Sequence, residues 1–350
     1  MTFDPTDQVF LADPYPVFAA LRSQADVHRH DQLGLAVAVS HAACSEVLRS
    51  RAAGRIWTDR TPVAAFPAFN LLHRNSLLEN EPPTHTRLRR LISAAFARGH
   101  TERLRPWVRS VAGGMVSRMA DAIERDGSAD LLEHLAAPLP VEVIAELLGV
   151  PAADRAANPG DDLVSDLVSE RDGSDRLSDD ELVATAVLLL MAGHEATVNV
   201  IGNGVLALLT HRSQWDRLVA DPGLTPTAVE ELIRYDAPLQ LFERTTVATT
   251  TIAGYELQPG DKIAALLGAA ARDPLVFGDP DTLDIGRSPN PHLGFGAGIH
   301  YCVGAPLARV EIAAALEALV TRLPGLRLAA EPERRGEFVI RGLRTLPVTA

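Results

Sequence analysis

From Ser178 to about His211 no proline interrupts the chain, and the residues repeat with a helical period. The stretch opens with "SDDE": Ser178 as N-cap and Glu181 three residues on make a capping box, with Leu177 and Leu182 as the flanking apolar pair. Acids fill the first turn, where the helix dipole favours them. At about 1.5 Å per residue the helix spans roughly 50 Å, enough to cross a whole domain. Its apolar run, "LVATAVLLLMAG" at 182–193, is well short of the roughly 20 residues that a bilayer span needs. The run is apolar all round, so the reading is a buried core helix around which the fold must be built.

Inside that helix lies "AGHEAT", Ala192 to Thr197. A histidine and a carboxylate are costly in a dry helix centre unless partnered. Gly193 costs about 1 kcal/mol relative to alanine. Local rules broken together mark places where function outweighs stability.

Helical patterns fill most of the remainder. "PPTHTRLRRLISAAFAR" (82–98) has apolar residues at 88, 91, 92 and 96, and "TERLRPWVRSVAGGMVSRMADAIER" and "LPVEVIAELLGV" follow. A helix at 225–238 is expected to start with Thr225 as cap and Pro226 at its first position, and another spans 305–323. Strands are few: "ADVHRHDQLGLAVAVS" alternates around a glycine turn, and "ERTTVATTTIAGYELQPGDKIAALLGAA" reads as a small antiparallel sheet. The fold class is mainly α with a small β portion. "GNG" at 202–204 reads as close helix packing rather than a phosphate loop.

A net charge of −12 argues against nucleic acid as partner. Lys262 is the one lysine, which with the abundant alanine points to a GC-rich bacterial genome. The first residues, "MTFDPTDQVFLADPYPVF", lack the basic start and apolar run of a signal peptide, so a cytoplasmic protein without a membrane is expected. Cys44 lies in an amphipathic helical pattern and reads as a small packed hydrophobe.

The other cysteine, Cys302, sits in "HLGFGAGIHYCVGAPLARVE" just before a helix. Backbone N–H groups and the positive dipole end there lower a thiol's pKa. Gly296, Gly298 and Gly304 permit tight turns and close approach of something flat or bulky. Such a thiolate could be a nucleophile, a redox thiol or a metal ligand. Zinc would need further nitrogen or sulfur ligands at spacings that are absent, as is the CxxCH of covalent haem. Sole ligation of a non-covalent haem iron remains, beside the plain alternative of a buried structural cysteine.

"FGAGIHYCVG" (295–304) resembles the haem-binding loop of the cytochrome P450 family, Phe-Gly-x-Gly-x-His-x-Cys-x-Gly. "AGHEAT" resembles the oxygen-binding part of that family's central helix. "EELIR" holds its Glu-x-x-Arg, and "ARDPLVFGDPDTLDIGRSP" looks like the segment leading into the cysteine loop. The resemblance implies the P450 fold in one domain over 1–350, with the long helix (about 179–211) over a haem and the cysteine loop (292–304) below it. It implies haem b, held non-covalently, with Cys302 as the axial thiolate and sole protein ligand to the metal. His85, Arg89, Arg244 and His300 match the propionate contacts, and Phe295, Gly296 and Ala192 match further cofactor contacts. His85 and Arg89, at i and i+4, share one helix face. Glu231, Arg234 and Arg287 match the family's buried charge cluster, with a structural role. Glu195, Ala196 and Thr197 occupy the catalytic stretch. Arg87 and Arg90 are expected to form a solvated face, and His292 to be a loop hydrogen-bonder.

Two departures stand out. Ala196 occupies the position where the family usually has a threonine whose hydroxyl helps order the water that carries protons to dioxygen. Thr197 is about 100° further round the helix and cannot simply replace it. A substrate hydroxyl and ordered water are expected to substitute, with Glu195 still in the proton path. Secondly, only "NPGDDLVSDLVSERDGSDRL" separates Ala157 from Ser178, room for one short helix around Asp161–Ser169, where the family has two long lid helices. The open face this implies suits a large or carrier-bound substrate, or a lid borrowed from a partner subunit. Substrate contacts are expected from 55–80, although Trp57, Phe66 and Phe69 are read chiefly as core packing.

The function implied is a monooxygenase of secondary metabolism that takes electrons from a ferredoxin and its reductase. It would activate O2 to hydroxylate or oxidatively couple an organic substrate. A non-catalytic helper of the same fold and a peroxide-driven enzyme are the alternatives.

Overall fold

The computed structural model describes residues 3–96, 99–149, 163–169 and 175–350. Its early helices are α1 (Gln8–Ala12), α2 (Tyr15–Arg22), α3 (His41–Arg49), α4 (Pro67–Arg74), α5 (Thr84–Phe96), α6 (His100–Asp126), α7 (Pro138–Leu147) and α8 (Leu163–Ser169). Later come α9 (Asp179–Thr210), α10 (Arg212–Ala220), α11 (Thr225–Tyr235), α12 (Leu267–Ala270) and α13 (Ala305–Arg322). The strands are β1 (Val27–His30), β2 (Leu35–Ala38), β3 (Ala53–Gly54), β4 (Ala129–Asp130), β5 (Leu241–Thr246), β6 (Thr250–Ile252), β7 (Tyr255–Leu257), β8 (Lys262–Leu266), β9 (Arg327–Leu328), β10 (Glu333–Arg334), β11 (Leu343–Thr345) and β12 (Pro347–Thr349).

The expected hairpin is β1–β2, turning at Gly34 with φ of 69°. β5 and β8 pair antiparallel, as read from the sequence. The parallel union of β2 with β8 joins the two into one sheet, β1-β2-β8-β5-β3, which local patterning did not reveal.

The capping box forms as read: Ser178 Oγ accepts the Glu181 N–H, and Glu181 Oε2 accepts the Ser178 N–H at 2.9 Å. Beyond it α9 divides in two. From Thr197 to Leu209 nearly every residue is buried, against α11, α13 and the turn at Leu132. A Cβ on Gly202 would lie 2.9 Å from Leu132, and one on Gly204 2.8 Å from Leu232, so "GNG" is close packing. α9 is the helix, among the described residues, whose length and hydropathy would suit a membrane span, yet this half sits in the protein core.

The N-terminal half corrects the expectation of a dry helix. Val183, Leu190 and Met191 are exposed, Met191 at 68%. Ala192 and Ala196 are exposed, and His194 and Glu195 half-buried. Between α7 and α9 the described chain supplies α8, which falls within the short helix expected at Asp161–Ser169; residues 150–162 and 170–174 lie outside the described residues. A smaller correction concerns α11: its cap is Leu224, and Thr225 is already helical, its hydroxyl donating to the Pro222 carbonyl at 2.7 Å.

Candidate active site

The cysteine loop is shaped by backbone. Gly296 and Gly298 have φ of 71° and 70°, a region that penalises side chains. A Cβ on Gly298 would also lie 2.6 Å from the Leu48 carbonyl of α3, so the loop leans directly on that helix. Cys302 N–H donates to Phe295 O at 3.0 Å and Gly296 N–H to Leu293 O at 2.8 Å, closing the loop. α13 begins at Ala305, and the thiol accepts from the Gly304 and Ala305 N–H groups.

Those donors, with Arg89 and Arg309, pull the thiol pKa down as expected. Burial pushes it up and prevails, so the net shift is upward, a correction to the lowered value read from the sequence. Cys302 is nevertheless solvent-accessible. Both hold for a residue on the wall of a concave site, touched by solvent on one side and protein on the others.

Around the loop the structure gathers the anion-binding residues. The rings of His85 and His300 lie 4.4 Å apart. His300 Nε2 donates to Glu81 Oε1 at 2.8 Å, and the same oxygen accepts the Arg55 N–H at 2.7 Å. Glu81 was not singled out in the sequence; as a lone acid before two prolines it carries no pattern. Burial pushes its carboxyl up, but the His300 and Arg55 hydrogen bonds hold it below the usual range. Arg89 donates to the Tyr301 carbonyl at 2.8 Å, one residue from the thiol.

Two groups are left wanting. His85 Nε2 is buried without a hydrogen-bond partner, and burial with the neighbouring His300 lowers its pKa to about 4. Arg244 is 2% exposed, stacks on Phe242 and donates only to the carbonyl of its own neighbour, Glu243. Among the described residues it forms no ion pair, and burial with nearby Arg55 lowers it to about 10. A buried cation without a carboxylate is costly. An unpaired arginine and an unpartnered imidazole beside a loop-held thiol form a donor set that fits a flat, dianionic, iron-bearing ligand.

Behind the loop, Arg234 donates from Nε and Nη2 to both oxygens of Glu231, at 2.7 and 2.8 Å. Arg287 Nε approaches the same oxygens at 3.2 and 3.1 Å, and Asn290 adds a hydrogen bond at 3.1 Å. Next to it a second cluster escaped the sequence reading: Glu230 accepts from Arg309 at 2.6 Å and from His292 Nε2 at 3.0 Å. His292 Nδ1 accepts the Gly294 N–H, which fixes the tautomer and makes His292 the loop hydrogen-bonder expected. Arg309 also lies over the Phe295 ring, 4.4 Å from its centroid.

On the long helix, Glu195 Oε1 accepts from Arg335 Nη1 at 3.2 Å. The buried Thr197 hydroxyl donates back to Gly193 O at 3.3 Å, the usual habit of a helical threonine. Arg90 is exposed, as expected of a solvated face, whereas Arg87 is half-buried and corrects that expectation. Arg87 hydrogen-bonds Glu181, Asp175 and the Arg176 carbonyl, and Arg90 lies 3.7 Å from Asp175, so both clamp the start of α9. Trp57, Phe66 and Phe69 are not core either. They form a partly exposed group with His73, stacked 4.4 Å from Trp57, and Arg60, over Phe66.

A thiol loop at the start of a helix, anion-binding residues beside it and a long helix crossing the domain define an oxidoreductase built for a haem iron. The family model for cytochrome P450 matches residues 151–324. The chain is 40% identical to the cytochrome P450 monooxygenase PikC of Streptomyces venezuelae, over 97% of this chain and 92% of that one. It is also 40% identical to the mycinamicin IV hydroxylase/epoxidase of Micromonospora griseorubida, over 79% and 80%. The solved structure of P450BioI in complex with an acyl carrier protein bearing hexadec-9Z-enoic acid matches with a TM-score of 0.89, 30% identity and coverage of 98% and 100%. This chain belongs to the cytochrome P450 family, and it is a P450 monooxygenase. The alignment with PikC runs over 392 positions against the 350 residues here, so the relative has stretches without a counterpart in this chain.

Proposed function

We propose that the chain is a single haem-thiolate domain over residues 1–350 that oxygenates an organic substrate in bacterial secondary metabolism, with ferredoxin and its reductase as electron donors. The observation carrying the reading is Arg244, a buried cation that forms no ion pair among the described residues, in the cluster that holds His85 with its unpartnered nitrogen. Haem b, bound non-covalently, supplies dioxygen activation and insertion of one oxygen atom, by hydroxylation or oxidative coupling.

Cys302 is the thiolate ligand, held by the backbone of a loop with two left-handed glycines. His85, Arg89, Arg244 and His300 bind the two carboxylates of the ring, with Glu81 orienting His300. Phe295, Gly296 and Ala192 pack against the macrocycle. Glu195 holds and passes protons at Oε1. Ala196 brings no hydroxyl, and the Thr197 hydroxyl is engaged by its own helix, so a substrate hydroxyl and ordered water complete the relay. Glu231, Arg234 and Arg287 brace the loop. The exposed apolar stripe of α9 suits a large or carrier-bound substrate, consistent with a relative crystallised with its acyl carrier protein. A cytoplasmic location fits the electron donors.

The absorption spectrum of the reduced, carbon monoxide-exposed protein tests this. A strongly red-shifted band that disappears in Cys302→Ser is expected. Haem without that band in the wild type overturns thiolate ligation. Failure to bind haem favours the non-catalytic helper.

A further inference from the structure

Arg334 and Arg335 are adjacent and diverge. Arg334 Nη2 reaches Asp236 at 3.2 Å, in a buried hub where Asp236 also accepts from Tyr15 and Arg341, each at 2.7 Å. Arg335 goes to Glu195 of α9. The hub fixes the backbone between β10 and β11, and thereby the distance across which Arg335 reaches.

Arg335 also lines a cleft of about 580 Å³ between the C-terminal half of α9 (Asn203, Leu206, Ala207) and the segment from Leu328 to Arg334. No residue of the cysteine loop lines this cleft. The Arg335 and Glu195 side chains are 34% and 44% exposed, so the pair stands where protein meets solvent. Within α9 nothing competes for the carboxylate: residue 196 is alanine, and Thr197 bonds to Gly193.

We infer that Arg335 is a positioning residue for Glu195. The inference rests on Glu195 acting as the proton-carrying group. Charge holds the carboxylate toward the hairpin, where a hydroxyl on the following residue would otherwise orient it. A charge-assisted hydrogen bond suits this, being directional and strong enough to keep a partly exposed side chain in one rotamer. The hairpin thus becomes part of the proton supply, although none of its residues lies on the cysteine loop.

The test uses the full chain, haem-free and haem-loaded, with Arg335→Met and Arg335→Lys. In the haem-free protein, the Glu195 side-chain carboxyl resonance is assigned by its loss in Glu195→Gln. That resonance shifts in Arg335→Met and returns toward wild type in Arg335→Lys. In the loaded enzyme, Arg335→Met raises the solvent isotope effect on turnover several-fold and Arg335→Lys restores it. An unmoved resonance in Arg335→Met overturns the positioning role. If Glu195→Gln turns over like wild type, the underlying reading of Glu195 fails instead, and the resonance still reports on Arg335 separately.

Discussion

Arg234 holds both oxygens of Glu231 where neither side chain is reached by solvent. Both lie on α11, three residues apart, and that carboxylate also anchors Arg287 and Asn290 from the stretch entering the cysteine loop. Glu231→Ala strands two arginines in the interior. The expected loss is about 3–5 kcal/mol of stability, read from urea unfolding, with reduced haem retention because the loop loses its brace. A variant that unfolds like wild type removes the structural role.

Glu230, next in sequence, predicts acid behaviour. Burial pushes its carboxyl up, but Arg309 and His292 more than offset this and hold it at about 2. A depressed carboxyl contributes stability that is present above its ordinary value near 4.5 and is lost as pH falls toward 2. The expected contribution is about 2 kcal/mol, discounted for partial exposure. Arg309→Met should cut stability at pH 7 and flatten its decline between pH 5 and 3. Parallel unfolding curves at both pH values for the two proteins would refute the assignment.

Glu311 works in the opposite sense. It is 3% exposed on α13, with Oε2 buried and unpartnered, and burial raises its carboxyl well above the usual range. A raised acid pKa means that folding favours the protonated form, so stability is full at low pH and falls as pH climbs past the unfolded value. Glu311→Gln should therefore melt higher than wild type at pH 8 and about equally at pH 4.5. Equal melting points at pH 8 would show that the carboxylate finds a partner.

Arg87 ties α5 to the capping box of α9 through Glu181. In Arg87→Met the first turns of α9 should exchange amide hydrogens roughly ten-fold faster, while α13 is unchanged. Uniform exchange across both helices would assign the pair to the weak class of surface ion pairs.

Ala196→Thr tests the proton relay. With a substrate lacking a hydroxyl, the added side chain should raise the fraction of electrons that end in product. Unchanged coupling would mean that the relay does not depend on a hydroxyl at this place.

What could be read in advance was what local chemistry determines. The capping box at Ser178, the Gly34 turn and the spacing of glycines before Cys302 each carry their cause within a few residues, and the folded chain keeps them. The burial of α9 misled, because an apolar run records what a helix could bury, whereas exposure depends on what the chain places against it. Glu81, Glu230 and Arg335 were illegible for a related reason. Each is an ordinary charged residue whose partners are 26 to 219 positions away in the chain. Arg87 misled likewise: it stands in a run of arginines that looks solvated until Asp175 and Glu181 fold onto it.

The unequal burial of α9 has a mechanical side. Its C-terminal half is set in the core and its first turn is pinned by Arg87, so the helix is a beam clamped at both ends. The span between carries exposed Leu190, Met191, Ala192 and Ala196, with Gly193 in the middle. Gly193 lets α7 close on that span, since a Cβ there would lie 3.3 Å from Ile144, so the beam is braced on one side and open on the other. Glu195 rides on this braced span, so its tether to the hairpin joins two parts of the frame that are each held elsewhere.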